Sequence, residues 1–270
     1  MKSKGIAIPY VVWMAIFVAA PLILVVIYAF SAKDGGFTVS NFTTMTQYLG
    51  VFGRSFLLAL IATLICILIG YPLAYLLARE GPGVRRISMM LIMLPMWMNY
   101  LLRTYSWMFL LERNGLINSL LKTMGLPALN IINTPAAVVL GMVYNFLPFM
   151  VLPIFSVIEK IDTRVIEAAQ DLGANNATVF RRVIFPLSLP GVLSGITMVF
   201  IPSVSTFVIS RLLGGGKTLL LGDLIELQFL GGAYNPQLGS AISLVMMIIV
   251  VISMAVMNRF GEGEEGAVLL

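Results

Sequence analysis

Histidine is absent from the sequence, and cysteine occurs once, at position 66 inside an apolar run. The first absence removes imidazole acid–base catalysis and the commonest metal ligand. The second leaves no disulfide framework and no thiolate cluster, so no metal site is expected and Cys66 reads as a small core residue. Charge is scarce too: 11% of residues are Asp, Glu, Lys or Arg, while 59% are hydrophobic and the mean hydropathy is +0.98. A soluble domain cannot cover so much apolar surface. The chain therefore reads as an integral membrane protein, and apolar runs long enough for spanning helices make it all-α. The net charge of +5 suits basic helix ends held at an anionic lipid surface. No dense basic run interleaved with aromatics appears, so membrane lipid rather than nucleic acid is the expected partner.

Motifs for chemistry on a bound nucleotide fail on inspection. Gly214-Gly215-Gly216-Lys217-Thr218 ends like a phosphate-binding loop, but Arg211 stands where the first glycine must let backbone amides wrap the phosphates. Gly81 and Gly83 begin a dinucleotide pattern that Arg86 breaks at its third position. Asn41-Phe42-Thr43 has the form of a glycosylation acceptor, which matters only in a eukaryotic secretory route. No Ser-centred elbow or carboxylate pair suggests hydrolysis. No catalytic residue and no cofactor is expected, and the chain is not read as an enzyme.

Six apolar runs divide the chain, at about residues 6–30, 55–78, 87–110, 136–158, 187–212 and 239–257. The first follows Lys2 and Lys4 and outruns the apolar core of a signal peptide, about 7 to 15 residues, so it reads as an uncleaved span. The third carries Pro95, Asn99 and Arg103, and so is either broken or open to a polar interior. Between the third and fourth runs, Leu116, Ile117, Leu120, Leu121 and Met124 fall on one face of a short external helix. Arginines at 79, 85 and 86, with Lys160, Arg164, Arg181 and Arg182, mark two turns as cytoplasmic. Six spans then leave both termini inside. No repeat or linker divides the chain, so residues 1–270 read as one domain.

One polar stretch stands out, residues 159–186. Ile166 to Leu172 holds strong helix formers, and Gly173 offers a stop. Asn175 or Asn176 can cap a second helix, in which Phe180, Val183 and Ile184 recur at helical spacing as far as Pro186. The result is a helical hairpin at the membrane surface, with Ala168, Ala169 and Ala174 keeping the backbone close to what lies beneath and Leu172 as an apolar knob.

Glu167-Ala168-Ala169, with Gly173 six positions after the glutamate and Pro186 nineteen after it, resembles the EAA loop of membrane subunits of ATP-binding cassette importers. Val183 and Phe185 stand where Ile and Leu are usual, apolar for apolar. The resemblance implies a type I importer permease fold in a prokaryotic cell membrane. It makes Glu167, Ala168, Ala169, Asp171, Leu172, Gly173 and Ala174 the coupling surface for an ATPase subunit present in two copies. It also implies a second homologous permease and an extracytoplasmic substrate-binding protein. The stretches 147–149, 158–162, 214–215 and 228–230 are similar to the first of the two membrane subunits in spermidine and putrescine importers, which implies a polyamine substrate. The residues alone leave open another solute, such as an anion, iron or an amino acid, and a carrier that works without a motor.

A polyamine cation needs acids, carbonyl dipoles or aromatic faces along its path. Trp97, Asn99, Tyr100, Tyr144, Asn145, Ser203, Thr206 and Phe207 are candidates within the apolar runs, with Asp223 and Glu226 sharing a face at the outer mouth if that loop is helical. Ordinary packing and interfacial anchoring explain aromatics in spans equally well. Arg103, if it faced the path, would repel a cation.

Overall fold

The computed structural model describes residues 8–261. Among these no sheet forms, and the chain is a succession of helices. Five of them are long and apolar enough to cross a membrane: α1 (Ile8–Ala29), α3 (Leu49–Arg79, extended backwards by the short α2, Ser40–Met45), α7 (Pro135–Glu159), α9 (Asn176–Ser205) and α12 (Pro236–Gly261). The expected third span is two helices, α4 (Pro82–Trp97) and α5 (Tyr100–Leu111). Met98 is extended and Asn99 restarts the helix, its Oδ1 accepting from the amides of Leu101 (2.9 Å) and Leu102 (3.3 Å).

The expected fifth span ends early. Thr206 is extended, so α9 stops at Ser205 and a separate helix α10 (Val208–Gly214) carries the rest of that apolar run. The second and sixth spans begin earlier than their apolar runs suggest, at Leu49 and Pro236. Between α5 and α7, α6 (Leu116–Thr123) forms where expected. Its buried Asn118 donates to the carbonyls of Glu112 and Leu129, both at 3.0 Å, and accepts from Leu129 N–H at 2.7 Å, tying the segment down. The loop between α10 and α12 is also helical, as α11 (Leu221–Leu230).

The core lies where α3, α7 and α9 pack on one another. With lipid outside, the drive for helices to meet comes from close van der Waals packing, which favours small residues at the seams. Along α3, Ala59, Ala62, Cys66 and Ala74 are fully buried. On α9, a Cβ built at Gly191 would sit 2.9 Å from the Pro153 carbonyl oxygen and 3.1 Å from Ile154 Cα, so this glycine sets how closely α9 approaches the backbone of α7. The helices α1, α2 and α12 form a smaller cluster around Ala29, Ala241 and Leu244. Helix α4 buries none of its residues.

Among the described residues two helices contain a turn of π-helix, Ala15–Ala19 in α1 and Phe180–Ile184 in α9. Each ends two residues before a proline, Pro21 or Pro186. The widened turn lets the amide of Ala20 reach Ala15 O and that of Phe185 reach Phe180 O, so the helix runs on past a residue that cannot donate. Pro186 therefore does not end the second arm of the polar hairpin. That arm and the fifth span are one continuous helix, α9.

Candidate functional site

The hairpin is built from strong local signals. Asp162 Oδ1 caps α8 (Thr163–Asp171) by accepting from the Arg164 amide at 2.9 Å. At the far end the Gly173 amide donates to Gln170 O (2.8 Å) and that of Ala174 to Ala169 O (3.1 Å), a double closure that needs the left-handed φ of +84° found at Gly173. Asn175 Oδ1 then accepts from the Thr178 amide at 2.9 Å, starting α9. Ala169, Ala174, Ile161 and Ile166 pack down on the core. Glu167, Ala168, Asp171 and Gly173 are exposed, and Leu172 stands out with 90% of its surface bare. Ala168 thus belongs to the outer face, not to the seam beneath.

The hairpin grips the helix bundle through aromatics. Phe180 of α9 lies edge-on to Tyr71 (5.9 Å between ring centroids) and Tyr75 (5.2 Å) of α3. Tyr71 also shares a 2.8 Å hydrogen bond with Ser188. Beside it, Arg85 at the start of α4 pairs with Glu159 at the end of α7 (2.7 Å) and donates to Ala78 O (3.0 Å) and Glu80 O (3.2 Å). Tyr75, Ala78, Arg85, Glu159 and Ile184, together with Glu167 and Gln170, line a cavity of about 490 Å³ beneath α8. A push on α8 therefore meets the ends of α3, α4, α7 and α9 at once.

A second cavity, also about 490 Å³, lies between α5, α7 and α9, lined by Tyr100, Arg103, Asn145, Phe146, Phe149, Met198 and Pro202. Of the expected pathway residues only Tyr100 and Asn145 line it. Asn145 is 1% exposed; its Nδ2 donates to Gly141 O at 2.9 Å, and its Oδ1 has no partner among the described residues. Tyr100 shares a 3.1 Å hydrogen bond with buried Thr206, joining the breaks at either side of the cavity.

The other candidates are used elsewhere. Asn99 is the cap of α5, Tyr144 lies edge-on to Trp107 with ring centroids 5.2 Å apart, and Ser203 donates to Val199 O at 2.7 Å. Trp97 and Phe207 face outward, Trp97 with 79% of its surface bare. Asp223 and Glu226 do lie on one helix, but neither is free. Asp223 is 4% exposed and accepts from the Leu220 amide at 3.0 Å; burial pushes its carboxyl above the usual value, opposed by the Ser210 hydroxyl, that amide and Arg211. Glu226 is paired bidentately with Arg211. That pair spans a loop, and nothing in the sequence announces it. Arg103, three residues after Tyr100 on the same helix, is the lining residue that a search for cation-friendly groups passes over.

Comparison with known proteins agrees with this architecture. Residues 67–262 match the family model described as binding-protein-dependent transport system inner membrane component. The spermidine/putrescine transport system permease protein PotB of Haemophilus influenzae is 39% identical over 92% of this chain and 90% of its own length. That of Escherichia coli is 38% identical over 88% and 90%. Among solved structures, a bacterial transporter importing alginate superposes with a TM-score of 0.78 at 19% identity, covering 96% of this chain and 94% of that one. The MetNI methionine transporter gives 0.61 over 82% and 97%. With several crossing helices and a family match over most of its length, the chain is a multi-pass membrane protein and belongs to the inner membrane components of binding-protein-dependent, ATP-binding cassette importers.

Proposed function

We propose that this protein is the permease subunit of an ATP-driven importer for polyamines such as spermidine and putrescine. The observation that carries the substrate is the identity of 39% and 38% to spermidine/putrescine permeases over about nine-tenths of each chain. A second permease completes the pathway, two ATPase subunits lie on the cytoplasmic side, and an extracytoplasmic binding protein delivers the ligand. The basic residues at 79, 85, 86, 160, 164, 181 and 182 put the hairpin and both termini in the cytoplasm. Helices α4 and α5 then form the sixth crossing, broken at Met98. Hydrolysis belongs to the ATPase.

Coupling runs through Glu167, Ala168, Ala169, Asp171, Leu172, Gly173 and Ala174. Leu172 is the knob that enters an ATPase groove, as an amphipathic helix sets apolar anchors into its partner. When the ATPases close on ATP, the two permeases' hairpins are drawn together and the spans open outward; hydrolysis resets them. The cavity beneath α8 gives that motion its lever, because Arg85, Glu159 and Phe180 link the hairpin to four helix ends. In the pathway, the Asn145 carbonyl oxygen and the rings of Tyr100, Phe146 and Phe149 offer a protonated amine a dipole and π-faces, each ring contributing roughly 0.5 to 2 kcal/mol. Asp223, Glu226 and the other outer candidates shape the mouth. Inward movement is helped by about 2.3 kcal/mol per charge per 100 mV of membrane potential, so alternating access is needed to prevent a leak.

Vesicles reconstituted with this chain, its partner permease, the ATPase and the binding protein should take up labelled spermidine only with ATP inside the ATPase compartment. Uptake by this chain alone, or a complex that ignores polyamines and moves another solute, would overturn the reading.

A further inference from the structure

Arg103 is 8% exposed, and its Nε and Nη1 are buried with no hydrogen-bond partner among the described residues. Its guanidinium carbon lies 6.0 Å from the Tyr100 ring centroid. A guanidinium stays charged in a protein interior, and a buried cation without a counter-ion is among the least favourable arrangements a membrane protein can hold. Neither ion pair found among the described residues involves it: those join Arg85 to Glu159 and Arg211 to Glu226. The guanidinium in this cavity therefore has no counter-ion among the described residues.

Depth narrows the source of that charge. Asn145, on the same cavity, is ten residues from the start of α7 and fourteen from its end, so it lies about 15 Å and 21 Å from the two helix ends. In a hydrocarbon core about 30 Å thick this is near the midplane, beyond the ordinary reach of a lipid phosphate. A soluble counter-ion would have to be dehydrated each time the site closed. Apolar side chains stand bare on the same helices: Leu102, Tyr105 and Phe109 on α5, and Met198, which lines the cavity, on α9. Such a surface can take either lipid or another membrane helix, and of the two only a helix can carry a carboxylate to this depth.

We propose that the Arg103 pocket receives an aspartate or glutamate carboxylate from the second permease subunit, which pairs with the guanidinium near the membrane midplane. This rests on the proposed two-permease pathway. The pairing has a consequence for the solute. Once Arg103 is neutralised from across the interface, the Asn145 carbonyl oxygen and the surrounding rings become a site that an ammonium group can occupy; with the pair apart, Arg103 repels it. Alternating contact between the permeases would then switch the site's affinity for a cation.

The test is a charge swap in the assembled complex. Arg103→Glu should cut ATP-dependent spermidine uptake at least 10-fold. One of the acidic residues in the spans of the second permease, changed to arginine, should bring it back to within about threefold of the parent. Arg103→Cys with cysteine at that same partner position, in a Cys66→Ala background, should form a disulfide on oxidation. The proposal falls if Arg103→Glu and Arg103→Gln transport within twofold of the parent, or if an assembled complex loses uptake but no partner acid restores it or cross-links. It falls equally if dependence on anionic lipid in the vesicles, rather than a partner acid, tracks the Arg103 variants. Should the parent complex move a solute other than a polyamine while the swap still rescues, the pairing stands and only the substrate reading fails.

Discussion

The hairpin and the midplane cavity are both polar regions in an apolar protein, and they are finished to different degrees. In the hairpin, polar ends close locally: Asp162 caps α8, the Gly173 turn satisfies its last carbonyls, and Asn175 opens α9. Beside the exposed Glu167 and Asp171 it holds out an apolar knob, Leu172. In the cavity the reverse holds, with rings packed and polar atoms of Arg103 and Asn145 left open. A locally closed element can be moved as a rigid body by whatever grips it. A cavity with unsatisfied polar groups waits for matter from outside, whether another subunit or the solute. Within one chain, the two regions proposed for transmission and for recognition are thus built on opposite plans.

The largest expected effect lies in the frame that holds both regions in register. Gly191→Val would press a branched side chain onto the Pro153 carbonyl and Ile154 Cα, backbone atoms of α7 that cannot rotate away. Overpacking of this sort costs about 1 to 3 kcal/mol, and more where backbone must shift. We expect little folded protein in the membrane, measured as monodisperse yield in mild detergent. Gly173→Val is different in kind. Its Cβ meets nothing within 4 Å, so the bundle should persist. Yet φ of +84° penalises a β-branched residue, by an amount on the order of 1 to 2 kcal/mol or more. Yield should be normal while ATP-dependent uptake and ATPase copurification are lost. Normal uptake would mean that α8 is not the transmitting element. Gly173→Ala, strained but unbranched, should fall between.

How much of each region can be read from sequence follows from the same contrast. Caps, the Gly173 stop and the knob are local signals, because the bonds they make join residues no more than about five apart. Pro186 misleads because a π-turn upstream of it absorbs the missing donor, a tertiary adjustment without a sequence mark. The cavity depends on contacts between α5, α7 and α9, and there composition names candidates without sorting them. Asn99, Ser203 and Tyr144 have the right chemistry but spend it on a cap, a carbonyl one turn back and a neighbouring ring. The breaks at Met98 and Thr206 decide which survive. The first is signalled by Pro95 and Asn99; the second falls inside a long apolar run and is visible only in the fold.

A moderate effect is expected at the lever beneath the hairpin. The Arg85 and Glu159 side chains are 29% and 41% exposed, so their 2.7 Å pair is worth less than about 1 kcal/mol. Glu159→Gln should barely change thermal stability, because Arg85 keeps the carbonyls of Ala78 and Glu80. Arg85→Ala removes all three links. If the lever transmits, it should lower uptake several-fold while ATPase copurification is retained, separating coupling from docking. At the outer corner, Asp223→Asn should be tolerated at neutral pH, since asparagine still accepts from the Leu220 amide. Burial raises the folded-state carboxyl above its usual 3.8, so Asp223 stabilises most below that value and the contribution is lost as pH rises through the elevated one. The variant should flatten the fall of melting temperature over that window.

The smallest change tests whether the two breaks act as one. Tyr100 follows the interruption at Met98, Thr206 forms the one after α9, and their hydroxyls are 3.1 Å apart. Tyr100→Phe or Thr206→Val should each cost about 1 kcal/mol, the net worth of one hydrogen bond whose partner is left unsatisfied. The two residues have different surroundings beyond this bond: Tyr100 borders the Arg103 cavity, whereas Gly222 of α11 comes close to the Thr206 carbonyl. If the bond is the shared feature, the double variant should be no less stable than either single one, and the three should show the same modest loss of uptake. If the double variant shows the sum of both losses, the tyrosine serves the cavity and the threonine the outer corner. The midplane site and the outer mouth would then move independently.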